Sequence, residues 1–160
     1  MNEFYVTNRD VIKNLALNTS TTSAPAYTKF CTTSELTLNQ EFEEKDWYVF
    51  CDAIQRSIIT GVAMTLEGTV KIDINNTAIQ NVLGKVHTLL TAGTISQFNN
   101  LQVQFDLLTG VNNAVLEYTT YTANVKLTLE SLGGSAEDEG EFAFTMTLNG
   151  TATAGALKTL

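Results

Sequence analysis

The segment Ile59–Ile74 reads ITGVAMTLEGTVKIDI and alternates apolar and polar side chains over most of its length. Apolar residues occupy even positions from Val62 to Ile74, and threonine, glutamate, lysine and aspartate fall on the odd positions between them. A period of two residues is typical of a β-strand that buries one face and leaves the other in water. The segment therefore predicts a long strand with one solvated face.

The same alternation returns in three later segments, so the sequence predicts a mainly β fold. The apolar positions are Leu101, Val103, Phe105 and Leu107, then Val125, Leu127 and Leu129, then Phe142, Phe144, Met146 and Leu148. We expect strands at about 27–38, 59–74, 96–108, 114–132 and 141–152, with hairpin-like connections at 110–113 and 133–140. The expected architecture is a β-sandwich or barrel of two antiparallel sheets.

One amphipathic helix is predicted at 77–91, flanking the sheets. Its apolar residues recur at intervals of three and four, which gives a single apolar stripe. Asn76 or Thr77 can cap the first turn, and Gly93 stands where a left-handed residue ends a helix. Gly84, inside the helix, suggests a close contact with a neighbouring backbone.

Two segments lack the alternation of apolar and polar residues that is typical of a strand. Residues 1–26 are rich in Asn, Thr and Ser, end near the single proline, and predict an extended N-terminal arm; an ordinary first strand followed by a loop is the alternative. Residues 39–58 predict a long inter-strand loop. Aromatic residues in this loop are candidates for contact between subunits. They are Phe42, Trp47, Tyr48 and Phe50. The alternatives are that these rings cover an open end of the core or form a short irregular strand.

Length and charge limit the class of protein. The 160 residues suffice for a single domain spanning 1–160. The net charge of −8 argues against a nucleic-acid-binding protein, because affinity for the phosphate backbone needs many Lys and Arg contacts. No apolar run reaches the length of a membrane span, and no signal peptide is expected. Cys31 and Cys51 are expected to be buried or half-buried thiols rather than a disulfide.

The sequence contains few residues or motifs that could support catalysis. His87 is the single histidine and lies beside the apolar stripe of the predicted helix. There is no nucleophile motif, phosphate loop or metal-ligand spacing, so we expect no catalytic, cofactor or metal site and no enzyme activity. Strand-face acids such as Glu67, Asp73 and Asp106 are expected to be solvated. The acidic run at 137–139 predicts an exposed loop, with a calcium or partner site as the alternative.

The order of these elements resembles that of the major tail tube protein of long-tailed bacteriophages. The resemblance rests on the arm, Tyr27-Thr28 leading a strand, the loop with Trp47, the long strand and one helix. It rests most on the closing pattern LGGSA at 132–136 followed by GEFAFTMTLNG at 140–150. It implies a β-sandwich with a flanking helix, assembled into hexameric rings that stack as a hollow tube for DNA ejection.

This resemblance also implies partners, a location and a lumen. The partners are further copies of the chain, a tape measure protein and terminator or baseplate proteins; the location is the virion tail, with assembly in the host cytoplasm. Acidic or neutral polar residues would line the bore, so that DNA slides past without binding. The candidates for this lining are Thr65, Glu67, Thr69 and Asp106. The rival interpretations are a non-polymerising β-sandwich that binds a ligand or partner, and another tail component such as a terminator or baseplate ring.

Overall fold

A computed structural model describes residues 5–159. In chain order its elements are α1 (Asn8–Val11), β1 (Ile12–Asn18), β2 (Tyr27–Lys29), β3 (Thr33–Val49), β4 (Asp52–Lys71), α2 (Thr77–Ala92), a 3₁₀ turn (Ser96–Phe98), β5 (Leu101–Asn112), β6 (Val115–Leu132), β7 (Glu141–Leu148) and β8 (Thr153–Thr159). The predicted mainly β class is confirmed.

All eight strands belong to one antiparallel sheet, not to two. The order is β2-β1-β5-β6-β7-β4-β3, and β8 also pairs with β6. The long β6 explains the difference, because it pairs with β5 over Val115–Val125 and with β7 over Val125–Leu132, and so joins both halves of the fold. Strands β7 and β8 lie end to end along the same side of β6.

The sheet curls until its two ends approach each other. Only residues 30–32 separate β2 from β3, which are the two end strands of the sheet. In this link Phe30 donates its N–H to the carbonyl of Leu15 on β1 at 2.9 Å, and Thr32 accepts from the N–H of Lys71 on β4 at 3.1 Å. Alternate residues of the strands fill the space enclosed by the sheet, as the period of two predicts. The largest fully buried members of this core include Leu15, Leu17, Leu66, Val70, Ile79, Val82, Val103, Val125, Phe142, Phe144 and Met146.

Helix α2 closes one side of the core and begins and ends as predicted. The side chain of Asn76 accepts hydrogen bonds from the N–H groups of Ala78 and Ile79. Gly93 ends the helix with φ +64° and donates its N–H to the carbonyl of Leu89. The expectation for Gly84 is wrong, because no atom beyond its chain neighbours and the adjacent helix backbone lies within 4 Å of a Cβ placed there.

The N-terminal segment is not an extended arm. Strand β1 pairs with both β2 and β5 and buries Leu15 and Leu17, which confirms the alternative of a first strand followed by a loop. The apolar alternation of this short strand is interrupted at Asn14, which adopts φ +57° at a bulge between Lys13 and Ala16. Residues 1–4 of the predicted arm lie outside the described residues.

The predicted loop at 39–58 is also wrong. This segment forms the outer halves of β3 and β4, whose pairing runs without a loop to Val49 and Asp52. A second tight turn joins β5 to β6, where Asn113 and Ala114 have φ of +50° and +63°, the two positive values that a type I′ hairpin turn requires. Strand β8 was not expected at all, because glycine and alanine interrupt its apolar pattern.

Candidate assembly surfaces

The β3–β4 hairpin extends well beyond the rest of the sheet. Strand β7 pairs with β4 over Thr65–Lys71, and the segment from Asp52 to Met64 pairs with β3 alone within the described chain. The outer part of the hairpin is therefore a two-stranded ribbon, which we call the ribbon (residues 40–64). At about 3.3 Å per residue, it reaches roughly 40 Å past Thr65.

The ribbon brings together the four aromatic residues that the sequence singled out. Exposure is 52% for Phe42, 37% for Trp47, 66% for Tyr48 and complete for Phe50 at the turn. Aliphatic residues of β4 add to this exposed apolar surface. They are Ile54, Ile58, Ile59 and Val62. Patches of this kind on a folded protein mark surfaces that contact a partner.

An apolar stripe leads from the core onto the ribbon. The cross-strand pair Leu38 and Leu66 packs at the core, and the pair Phe42 and Val62 follows four residues further along the same face. Leu66 is fully buried, whereas Phe42 and Val62 are about half exposed. The core side of the sheet thus continues outward without a covering layer. A two-stranded hairpin is marginally stable in water by itself, so the ribbon is suited to burial against another surface.

The opposite face of the sheet is polar and rich in threonine. Thr65, Glu67 and Thr69 lie on it, opposite Thr147, Thr145 and Ala143 of β7. On this face Glu130 accepts a hydrogen bond from Thr145 at 2.6 Å, and Lys71 forms an ion pair with Glu141 at 2.8 Å. The pKa of Lys71 is raised, first by its hydrogen bond to Glu141. Paired charges and hydroxyl groups give this face little net charge.

Asp106 also lies on this face, but its prediction as an open lining residue is wrong. Its exposure is 2%. Asn14 donates to Oδ2 at 2.7 Å, Thr120 donates to Oδ1 at 2.6 Å, and Nζ of Lys158 lies 3.0 Å from Oδ1. Burial by itself would raise the pKa of Asp106, but the hydrogen bonds from Thr120, Asn14 and Lys158 lower it overall. The carboxylate joins β1, β5, β6 and β8.

The other residues that the sequence singled out take part in no disulfide or metal site among residues 5–159. Cys31 and Cys51 are both free and exposed, contrary to the expectation of buried or half-buried thiols. Glu137, Asp138 and Glu139 lie in the exposed loop that was expected. Among residues 5–159, no three His, Cys, Asp or Glu side chains are grouped so that they could hold a metal ion. No α-helix in that range has the length and hydropathy needed to span a membrane.

No family model matches the sequence, and no curated protein sequence matches it either. The solved SPP1 tail tube contains a similar chain, with a TM-score of 0.55 and 13% identity over 91% of this chain and 78% of that one. This chain has the tail tube fold.

Two further solved assemblies contain this fold. The tail of an empty gene transfer agent particle, determined with C6 symmetry, matches with a TM-score of 0.60 and 11% identity over 95% of this chain and 100% of that one. The extended sheath-tube complex of an extracellular contractile injection system matches with a TM-score of 0.51 and 8% identity over 98% and 93%. At identities this low, the structural likeness establishes the fold alone.

The sequence singled out four aromatic residues that lie on the ribbon and three residues that lie on the polar face, but it did not indicate the Asp106 network. The signal for that network was weak. Asp106 occupies a polar position of an alternating strand, as a solvated acid would, and its partners Asn14 and Lys158 are 92 and 52 residues away along the chain.

Proposed function

We propose that this protein is a structural subunit that polymerises as stacked hexameric rings and forms a phage-type tail tube, through which DNA leaves the capsid. The proposal is supported by the tail tube fold and by the ribbon. A projecting two-stranded ribbon with an uncovered apolar face has its natural partner in another copy of the same chain, because head-to-tail contacts between identical subunits close into rings or continue as filaments.

Free strand edges of the subunit favour the same function. The outer edge of β3 and the outer edge of β4 from Ser57 to Met64 pair with no strand in the described part of the chain. Unpaired edges of this length invite further strands, and monomeric proteins usually block them. In a ring, neighbouring copies complete them.

The polar face is the surface that suits a bore. Thr65, Glu67 and Thr69 present hydroxyl and carboxylate groups, and the nearby cation Lys71 is paired with Glu141. A face without an excess of cations does not hold phosphates, so DNA can slide along it. We place Asp106 among the residues that stabilise the subunit rather than among those that line the tube.

Further partners follow from a role in a tail. A tube assembled inside a host cell needs a tape measure protein in its bore and terminator or baseplate proteins at its ends. The protein would then reside in the virion tail and act as a structural component, not as an enzyme.

Electron microscopy of the purified protein tests the proposal. We expect negatively stained samples to show rings or tubes of uniform width, and light scattering to show mass increasing with protein concentration. Monomers that persist at high concentration would instead support a non-polymerising binding module.

A ring that ends a tube is the second candidate function. The solved tube-terminating cap of the anti-feeding prophage has a chain that matches with a TM-score of 0.50 and 10% identity over 100% of this chain and 95% of that one. Single rings that never elongate would favour this role, whereas tubes of many rings would favour the main proposal.

A further inference from the structure

The connection between β7 and β8 contains the dipeptide Asn149-Gly150, and no other asparagine of the chain precedes a glycine. The connection spans residues 149–152, lies outside regular secondary structure and exposes both members of the dipeptide. Gly150 adopts φ +94°, and nothing beyond its chain neighbours lies within 4 Å of a Cβ placed on it. The backbone around Asn149 therefore has room to rearrange.

Asn149 fastens this connection to the rest of the fold at two points. Its backbone N–H donates to the carbonyl of Asn124 on β6 at 2.8 Å. Its side-chain Nδ2 donates to the carbonyl of Asn99, at the end of the 3₁₀ turn, at 2.9 Å, and this second bond is exposed to solvent. Among residues 5–159, no acceptor is found for the N–H of Gly150.

An asparagine followed by glycine can cyclise, because the glycine nitrogen brings no side chain with it as it approaches the asparagine side chain. The nitrogen of Gly150 bonds to Cγ of Asn149, the bond from Cγ to Nδ2 breaks, and the N–H proton passes through water to Nδ2, which leaves as ammonia. Water then opens the five-membered imide. Cleavage between the nitrogen and Cγ gives aspartate, and cleavage between the nitrogen and the main-chain carbonyl carbon gives isoaspartate.

The hydrogen bond to Asn99 is the restraint that the fold places on this reaction. It holds the side-chain amide of Asn149 in a fixed position, so cyclisation requires it to open. Because the bond is exposed and belongs to a connection between strands, its opening costs little free energy. We therefore expect Asn149 to react in the folded protein, although more slowly than in the unfolded chain, where this bond is absent.

Asn113 is an internal reference for the effect of the following residue. It is exposed like Asn149, but it precedes Ala114 in a tight turn whose flanking residues Asn112 and Val115 are paired. The methyl group of alanine and the paired turn both oppose ring closure. Asn113 should therefore convert more slowly than Asn149.

Either product removes the side-chain contact with Asn99. An ionised carboxylate has no hydrogen to donate, so its oxygen and the carbonyl oxygen would face each other as two acceptors. Isoaspartate also adds one carbon atom to the main chain between β7 and β8. The connection loses one of its two attachments, and each converted subunit gains one negative charge.

We propose that Asn149 is a spontaneous modification site of the folded protein, which converts to aspartate and isoaspartate, and that this conversion loosens the connection between β7 and β8. The reaction consumes only water and does not depend on polymerisation.

Peptide mapping of protein kept folded at mildly alkaline pH tests the site. The peptide that contains Asn149 should gain about 1 Da and separate into two species, one of which accepts a methyl group from protein isoaspartate methyltransferase. The peptide that contains Asn113 should convert severalfold less. Asn149→Gln should abolish most of the mass gain of the intact protein, whereas the matched control Asn113→Gln should retain it.

Urea unfolding tests the consequence for the fold. Asn149→Asp, and aged protein enriched in the converted form, should both unfold at a lower urea concentration than fresh protein. An Asn149 that stays intact in the folded protein while the urea-unfolded chain converts would overturn the modification site, because the bond to Asn99 would then block the reaction. Conversion of Asn113 as fast as Asn149 would overturn it too. An Asn149→Asp variant with an unchanged urea midpoint would overturn the loosening.

Discussion

The side chain of Lys158 on β8 reaches across the sheet to Asp106 on β5, with 3.0 Å between Nζ and Oδ1. This ion pair adds a side-chain connection to the backbone pairing of β8 with β6, and hydrogen bonds from Asn14 and Thr120 hold the carboxylate in place. Asp106→Ala would leave the partly buried donors of Asn14 and Thr120 without their acceptor, at a cost of about 1–3 kcal/mol in total. Urea unfolding should show a decrease in stability of at least this size, whereas Glu137→Ala in the exposed loop should change stability by less than about 0.5 kcal/mol.

Stability should depend on pH through the same carboxylate. The folded protein has a lowered pKa for Asp106, so the unfolded chain binds this proton more readily. The resulting stabilisation is fully present above the unfolded pKa of about 4 and is lost as pH falls through the lower folded value. We expect the unfolding free energy to decrease below about pH 4, and a smaller decrease in Asp106→Asn. Identical pH profiles for the two proteins would contradict this role.

Alanine substitutions at Gly68 and at Gly84 should change the stability of the protein in opposite directions. A Cβ on Gly68 would lie 2.3 Å from the carbonyl oxygen of Glu35 and 3.0 Å from the ring of Phe144, where β3 and β4 approach closely. Gly68→Ala should therefore destabilise the protein by about 1–3 kcal/mol or more. Gly84→Ala, with open space around its Cβ, should stabilise α2 by about 0.5–1 kcal/mol. Thermal unfolding of both variants measures the difference in sign.

Shortening the ribbon should prevent polymerisation without unfolding the subunit. Removing 42–50 would leave the β4 half of the ribbon without its partner, so the deletion must be symmetric: Gln40 joined to Met64 through an Asn-Gly turn. Circular dichroism should report an intact β fold, and microscopy should show few or no tubes. Trp47→Ala should reduce tube yield in the same direction. A shortened variant that forms tubes in normal yield would rule out contact through the ribbon.

Replacing Glu67 by lysine should make assembled tubes bind DNA. Glu67 is exposed on the polar face, so the substitution should preserve folding and tube formation while adding a phosphate-binding cation in every subunit. We expect tubes of Glu67→Lys to retain short duplex DNA at low salt and release it at high salt, and ejection from particles to slow. Glu67→Gln is the matched control, and equal retention by both variants would place this face outside the bore.

Alternation and helix capping made most of the fold predictable. The segments around Leu66, Val125 and Phe144 have clear periods of two, and the caps at Asn76 and Gly93 define the helix because local hydrogen bonds fix helix ends. The ribbon was not predictable as a hairpin, since both of its faces are exposed and aromatic residues interrupt its alternation. A strand that is solvated on both sides lacks the pattern that burial imposes on a sequence.

The contacts between Asp106 and residues distant in sequence were not predictable for a different reason. The Asp106 network brings together residues from four strands, and a polar side chain at an alternating position has the same sequence signature whether it is solvated or buried. Candidate ribbon residues were found because their composition, aromatic side chains beside acids, is unusual for a loop.

The ribbon contains two register shifts, and the one farther from its tip bears on the geometry of a filament. Glu43 pairs with Gly61 and Glu44 pairs with Ile59, so Thr60 is an extra residue, and its hydroxyl donates to the carbonyl of Glu43. Bulges of this kind bend a strand and increase its twist. In a tube held together through its ribbons, this bend would fix the angle at which each ribbon leaves its subunit, and with it the direction in which a filament grows.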